Sequence, residues 1–493
     1  MKKVIVIGSG IAGLAVSIRL ASKGYSVKVF EKNDYPGGKL YSFTVDGYRF
    51  DGGPPLLTMP DFIAELYEIA GEKIEDHFKY SKKEIACKYF WQDGTVFNAY
   101  SDREKFLKEV EIKFNEPKEK VANYLSKAKK KFDLIKSIFL EQSLYKLKTL
   151  LSDKTIKALL NFKIFEFQKS LHKANENSFS SPYLIQLYDR YATYNGSNPY
   201  QTSGIMTLIQ HLESYYGTFV PEKGMKSITE SLFNLAKRLG VKFYFNTDVN
   251  EIVIESKKAI GVKHKDSFIE ADLVISNVDV FYTYKNLLPN FSKPVKILEQ
   301  DRSSSAVIFY WGIKNSFKEL DLHNIFFSKD YKKEFDAIFK NQTIYDDPTI
   351  YINITSKNAK EDAPIGCENW YVMVNSPSDS GQDWDQIAKK LRVTVIDKIS
   401  KRLGVSLEDK IVCEEIMTPP IIQSKTKSYK GALYGTSSNN MMSAFLRHPN
   451  FSKKIKNLYF CGGSVHPGGG IPLCLLSARI VADLIPETKN ESD

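Results

Sequence analysis

No stretch of this 493-residue chain approaches the roughly 18 uninterrupted apolar residues that a bilayer-spanning helix needs. Nothing in it is therefore expected to cross a membrane. The five cysteines, Cys87, Cys367, Cys413, Cys461 and Cys474, are scattered, odd in number and form no CxxC pair. That fits a reducing cytoplasm and excludes a thiolate zinc site. No metal-ligand cluster and no Ser–His–Asp arrangement is visible, so metal-dependent and triad chemistry are not expected. No internal repeat or low-complexity linker divides the chain. The opening MKKVIVIGSG moves straight into a strand, so no cleavable signal is expected.

What is present describes a large soluble protein. The length predicts two or more packed units, and 43% hydrophobic with 26% charged residues is a globular balance. Aromatic residues make up 13% of the chain, enough to line a site for a large apolar ligand as well as a core. The net charge of +11 is unevenly placed. Lys127 to Lys173 holds 12 lysines against 4 acidic residues, interleaved with Phe132, Leu134, Ile135, Ile138, Phe139, Leu140, Tyr145, Leu147, Leu150 and Leu151. Lysines mixed with apolar residues predict a surface that meets anionic lipid headgroups, with Lys129, Lys130 and Lys131 near its start. No nucleic-acid-binding motif accompanies the basic stretch, so nucleic acid is not an expected partner.

The first thirty residues are the most informative. Val4 to Ile7 is an apolar, β-branched run of the kind found in strands buried on both faces. Gly8, Gly10 and Gly13 follow at GxGxxG spacing, Ile11 to Lys23 has helical periodicity, and Gly24 stands at a C-cap position. Ser26 to Phe30 predicts a second strand, ending in Glu31. In such a unit Gly8 makes the tight turn, Gly10 lets backbone approach a pyrophosphate, and Gly13 lets helix and strand pack closely. Ile11 and Ala12 open the helix whose N–H groups face the phosphates. Glu31 can accept from ribose hydroxyls, with Lys32 beside it. At this point NAD and FAD both remain open.

After Glu31 the chain does not continue into a crossover helix, as a nicotinamide dehydrogenase would. Pro36, Gly37, Gly38 and Lys39 turn it back, short strands follow around Tyr41–Val45 and Tyr48–Phe50, and Asp51, Gly52, Gly53 and Pro54 turn it again. The string GxGxxG…E…PGGK…FDGGP resembles the FAD-binding start of the phytoene desaturase family, bacterial-type carotenoid desaturases that share their fold with amine oxidases. Lys39 stands where that family often has arginine, which keeps the charge and loses the fork.

Further segments resemble the same family in the same order. Gly224 to Leu239 predicts an amphipathic helix, Val241–Phe245 a strand, Val249–Glu255 with Ala259–His264 a hairpin, and Leu273–Ser276 a buried strand. The resemblance places Val249 beside the adenine and puts a cofactor-side turn at Asn277, Val278 and Asp279. Near the end, Gly462, Gly463, His466, Pro467, Gly468, Gly470, Ile471 and Pro472 match the stretch that passes the flavin in the family. The fold class implied is α/β, a Rossmann-like FAD-binding domain of the amine oxidase and GDP-dissociation inhibitor type. An inserted α+β substrate domain and a helical membrane-facing part accompany it. The expected pieces are 1–75, 222–300 and 453–493 for the FAD domain, with 76–221 and 301–452 for the substrate domain.

The resemblance implies dehydrogenation of an isoprenoid chain to create a C=C bond, with flavin taking up the hydride. The wording around Arg190-Tyr-Ala-Thr-Tyr is closer to members acting on hydroxylated carotenoids, so a 1-hydroxycarotenoid 3,4-desaturase is expected, with phytoene desaturation as the alternative. An isomerase of similar fold and a non-catalytic isoprenoid carrier are more distant readings. Asp189, Arg190 and His211 lie in the substrate segment and are candidates to take the proton, and His466 is a candidate for flavin contact. Oxygen or a membrane quinone is the expected electron acceptor, with no stable NAD(P) site. Peripheral attachment to the inner face of the cell membrane is the expected location.

Overall fold

The apolar run Val4–Ile7 forms a strand, Lys3–Ile7, at the centre of a five-stranded parallel sheet. Its neighbours are Leu273–Ser276 on one side and Ser26–Phe30 on the other, with Leu458–Phe460 and Lys242–Tyr244 at the edges. Three widely separated stretches of chain thus meet in one sheet. The computed structural model describes residues 1–146, 149, 151–440 and 447–488. The helix Ile11–Ser22 packs between the helices Ile471–Leu484 and Lys226–Arg238 over one face of this sheet, and most of its residues are buried. An antiparallel sheet of Glu251–Glu255, Lys258–His264 and Ser267–Glu270 flanks it.

A second sheet has seven strands. Its order is Ile411–Met417, Ser305–Ile313, Glu368–Ser376, Ile350–Asn353, His323–Phe326, Ile85–Phe90 and Val96–Tyr100. The pairs are antiparallel except between His323–Phe326 and Ile85–Phe90. Period-two alternation gives this sheet two different faces. Along Glu368–Ser376, Trp370, Val372 and Val374 pack into the core under the helix Trp384–Leu403. Tyr371, Met373 and Asn375 point the other way and roof a cavity.

The segment that carries His211 is built from two irregular turns, Gly204–Leu208 and Leu212–Tyr216. Lys131 Nζ donates to Thr207 Oγ1 at 2.7 Å, and that hydroxyl donates in turn to Gly204 O at 2.9 Å. Leu147, Lys148 and Leu150 lie outside the described residues, as does the end of the chain beyond 488.

Candidate active site

The cradle at the sheet's carboxyl edge is built from backbone. Gly8 has φ +93°, a left-handed conformation that favours glycine, and its N–H donates to Phe30 O at 2.8 Å. Gly10 caps the helix Ile11–Ser22 without a side-chain bond, and no acidic residue stands in the first turn. The first-turn N–H groups therefore remain available to an anion. Gly13 faces the strand: a Cβ there would lie 2.2 Å from Gly8 O. Glu31 is buried, and its Oε2 accepts from the Ser9 N–H and Ser9 Oγ, both at 2.8 Å, while Oε1 accepts from the Asn33 N–H at 2.9 Å. These bonds fix the carboxylate at the second strand's end.

The PGGK turn returns the chain to this cradle. Gly37 and Gly10 form an isolated bridge, and the Gly37 N–H donates to Ser9 O at 2.9 Å. Lys39 Nζ donates to Leu433 O at 3.0 Å. Burial pulls its pKa below the ordinary lysine value, against an upward pull from Asp279 and Cys474. Gly53 lies so close to the returning chain that a Cβ would fall 1.8 Å from Lys39 O. Asn277 Oδ1 stands 2.7 Å from where a Gly10 Cβ would be, and Asn277 Nδ2 donates to Cys461 O at 3.2 Å. Asn277 thus joins the first glycine loop to the last. Asp279 caps the next turn through the Phe281 N–H at 2.9 Å.

The last glycine loop closes the opposite side. Gly470, with φ +107°, caps Ile471–Leu484, which has Pro472 and no acid in its first turn. Arg447 ties the loop to the neighbouring chain by donating to Gly463 O at 3.4 Å and to Tyr434 O and Thr436 O, each at 2.9 Å. Its burial lowers the guanidinium to about 10. A Cβ on Gly469 would lie 2.9 Å from Tyr434, so this backbone is in close contact with an aromatic residue.

One cavity joins these parts. Gly8, Gly10, Ile11, Ala12, Glu31 and Lys32 line one end with Gly37, Gly38, Lys39, Gly53 and Pro54. Val249, Asn277 and Asp279 line its flank, and Gly462, Gly463, Gly470 and Ile471 its far wall. Two uncapped helix N-termini, a fixed carboxylate and a buried ammonium suit a dinucleotide with a diphosphate centre. The same cavity continues under the seven-stranded sheet past Tyr371, Tyr351 and Arg190.

The model of the flavin containing amine oxidoreductase family matches residues 11–486. The chain belongs to the flavin-containing amine oxidoreductase family. It is 53% identical over 489 residues to a 1-hydroxycarotenoid 3,4-desaturase of Flavobacterium sp. (strain P99-3), covering 99% of this chain and 100% of that one. It is 32% identical to a phytoene desaturase of Fusarium fujikuroi, over 98% of this chain and 89% of that protein. Its fold matches an oxidoreductase of Methanosarcina mazei with a TM-score of 0.63 at 16% identity, covering 98% and 100% of the two chains. The protein is an FAD-dependent oxidoreductase.

The remaining candidates of this flavoenzyme separate by where they point. Arg190 lines the cavity and pairs with Glu213 at 3.3 Å, its guanidinium within 5.4 Å of the Tyr89, Tyr191 and Tyr194 ring centroids. Glu213 also accepts from the hydroxyls of Tyr191 and Tyr194. Asp189 is not in the lining: it accepts from His172 Nδ1 at 2.6 Å and Asn175 at 2.8 Å, and burial raises its pKa. His211 stacks on Tyr215 at 4.7 Å, outside the cavity, and burial holds it neutral by lowering its pKa to about 4.

Gly13 and Pro472 support the cavity from behind. The His466 ring turns away from it, placing Nε2 3.0 Å from Gln142 O and its edge against Phe139. A glycine backbone forms the cavity side of that loop, and the buried ring packs on the inserted segment instead. Glu213, His323, Tyr351 and Tyr371 were missed by the sequence reading. Of these only Glu213 has a local signal, two residues from His211 in the substrate segment.

Proposed function

We propose that the protein is a carotenoid desaturase acting on a 1-hydroxylated chain at the C3–C4 bond. The observation that carries this is the single cavity that leaves the dinucleotide cradle and runs on beneath an aromatic sheet. A hydrocarbon needs such a channel. The likeness to a 1-hydroxycarotenoid 3,4-desaturase narrows the substrate.

In this reading the glycine loops and Lys39 hold FAD, which supplies the hydride acceptor when bound. Tyr371, Tyr351 and Met373 exclude water and align the chain. Arg190 and Glu213 are buried as a pair with their hydroxyl partners, which keeps a net charge from the cavity. Oxygen or a membrane quinone takes the electrons afterwards. Incubation of the FAD-loaded protein with a 1-hydroxylated carotenoid is expected to give a product with one more conjugated double bond, read as a red shift. Conversion of phytoene with no change in the hydroxylated chain overturns the substrate choice.

We also place the protein peripherally on a membrane through the inserted basic segment. No described helix is long and apolar enough to cross one. The helix Asp153–Leu160 and its flanks expose Leu151 (76%), Leu160 (82%) and Phe162 (50%) beside Lys154, Lys157 and Lys163. Lys131 does not share this surface: it is buried, bonded to Glu166 at 2.6 Å and to Thr207. The surface test therefore falls on other residues than the 129–131 triplet. Leu160→Asp with Phe162→Asp is expected to weaken binding to phosphatidylserine vesicles by at least about tenfold, since each apolar side chain contributes about 1.5–3 kcal/mol when buried. Unchanged vesicle binding counts against this surface.

A further inference from the structure

An ion pair faces the cavity of an enzyme whose proposed substrate is almost all hydrocarbon. Arg190 opens the short turn Arg190–Asn195, and Glu213 lies in the turn Leu212–Tyr216. Both line the cavity beneath the seven-stranded sheet. Neither is sealed: Arg190 keeps 10% of its side-chain surface and Glu213 7%. Arg190 Nη2 stands 3.3 Å from Glu213 Oε2. A close charge-assisted pair sits at about 2.7–2.9 Å, so this one is loose. The rings of Tyr89, Tyr191 and Tyr194 hold the guanidinium, with centroids 4.6–5.4 Å from its Cζ. Tyr191 Oη donates to Glu213 Oε1 at 3.1 Å and Tyr194 Oη to Oε2, which fix the carboxylate. Both groups are held in place, and a carboxylate with about four acceptor sites has room for one more donor.

Hydrocarbon alone suits this pair badly. A carotenoid chain filling the cavity removes water from the open edge of two charges and returns no hydrogen bond. A carboxylate end group would be repelled by Glu213. An alcohol is neutral, and it both accepts and donates. Because Nη2 and Oε2 lie only 3.3 Å apart, one hydroxyl oxygen can stand within hydrogen-bond distance of both groups at once. The pair is also tied to the last glycine loop. The Arg190–Asn195 turn ends at Gly196, where a Cβ would fall 2.9 Å from Tyr434, and Tyr434 in turn lies against Gly469. An alcohol at C1 is close to the C3–C4 bond, so its anchor belongs near the loops that hold the cofactor in this reading.

We infer that the Arg190–Glu213 pair binds the hydroxyl of the substrate's end group and so selects hydroxylated chains over unsubstituted ones. The guanidinium donates to the alcohol oxygen, and the alcohol donates to the Glu213 carboxylate. This rests on the desaturase reading above and assigns its specificity to two turns of the inserted segment. Arg190 acts through hydrogen bonding alone: a guanidinium keeps its protons, so it does not accept the one lost from the chain.

The test compares a 1-hydroxylated carotenoid with the same chain lacking the hydroxyl. Two quantities are measured: Kd, from quenching of protein fluorescence by the polyene, and kcat/KM of the FAD-loaded enzyme. The wild-type enzyme is expected to favour the alcohol by at least about tenfold in both, the worth of one hydrogen bond to a charged group. Arg190→Leu with Glu213→Leu removes both charges together, which spares the fold an unpaired buried ion. That variant is expected to bring both ratios within about threefold of unity, chiefly by loss on the alcohol. Arg190→Gln keeps a neutral donor and covers the case in which the double variant does not fold. Its ratios are expected to fall by at least about threefold. Equal Kd and kcat/KM for the two chains in the wild type overturn the assignment while leaving a desaturase. Unchanged ratios in either variant that retains flavin also overturn it. Conversion of neither chain removes the desaturase reading, and this assignment with it.

Discussion

Gly13→Val is expected to produce a chain that folds poorly and keeps no flavin through purification. A Cβ at this position falls 2.2 Å from Gly8 O and 2.9 Å from Asn277 Oδ1. Both neighbours are fixed. Gly8 is held by Phe30 O, and Asn277 by its bonds to Ile7 O and Cys461 O. Relief requires the helix Ile11–Ser22 to move off the strand Lys3–Ile7, and its N-terminus then leaves the cradle. Loss of at least about 3 kcal/mol of binding, more than about a hundredfold in Kd, follows from displacing the phosphate donors. Flavin absorbance per mole of protein measures it. Gly240→Ala is the matched control. Gly240 has φ +82° with nothing within 4 Å of its Cβ direction, so only the backbone conformation suffers, at about 1–2 kcal/mol. Flavin is expected to stay bound there. Full flavin content in Gly13→Val would show that the first loop does not hold the cofactor as described.

Acid is expected to release flavin and destabilise the fold together, beginning below about pH 6.5. Burial lowers His448 and His466 to about 4 and His323 to about 3. In the unfolded chain these groups titrate near about 6.5. Between the two values the unfolded chain binds more protons, so stability is complete above the unfolded pKa and falls as pH drops towards the folded one. Three such groups tilt the curve by up to about 4 kcal/mol per pH unit. Asp189 and Glu334, raised by burial, tilt it the other way. His448 and His466 sit at the last glycine loop, with the His466 N–H donating to His448 O at 3.0 Å, so charging either disturbs the far wall of the cavity. His448→Gln is expected to flatten the dependence of stability on pH by about 1.4 kcal/mol per unit, read from denaturant titrations between pH 4.5 and 6.5. An unaltered slope would remove His448 from this account.

Some of this was legible in the chain itself. Leu273–Ser276 forms as a strand at the bounds its apolar run predicts, because burial on both faces leaves a continuous signal, and Ser26–Phe30 forms at its predicted bounds from an alternating one. Gly8, Gly37 and Gly470 announce left-handed or crowded backbone, which is a local requirement. The family string added Val249, Asn277 and Asp279, which single residues do not mark. His466 and Lys131 show the limit. Each stands in a stretch whose composition suggests cofactor or lipid, yet each turns to a partner more than thirty residues away, at Gln142 and Glu166.

The sequence by itself determined the dinucleotide cradle, its two glycine loops and the carboxylate at Glu31, because turn geometry and strand burial are set by neighbours along the chain. Only the tertiary structure decided what lines the cavity beneath the sheet. His323, Tyr351 and Tyr371 come from three different strands, Arg190 and Glu213 from two turns, and none is near another in a periodic pattern. The register of a seven-stranded sheet places His323, Tyr351 and Tyr371 on one side. A one-residue slip in any strand would send that strand's side chains to the other face.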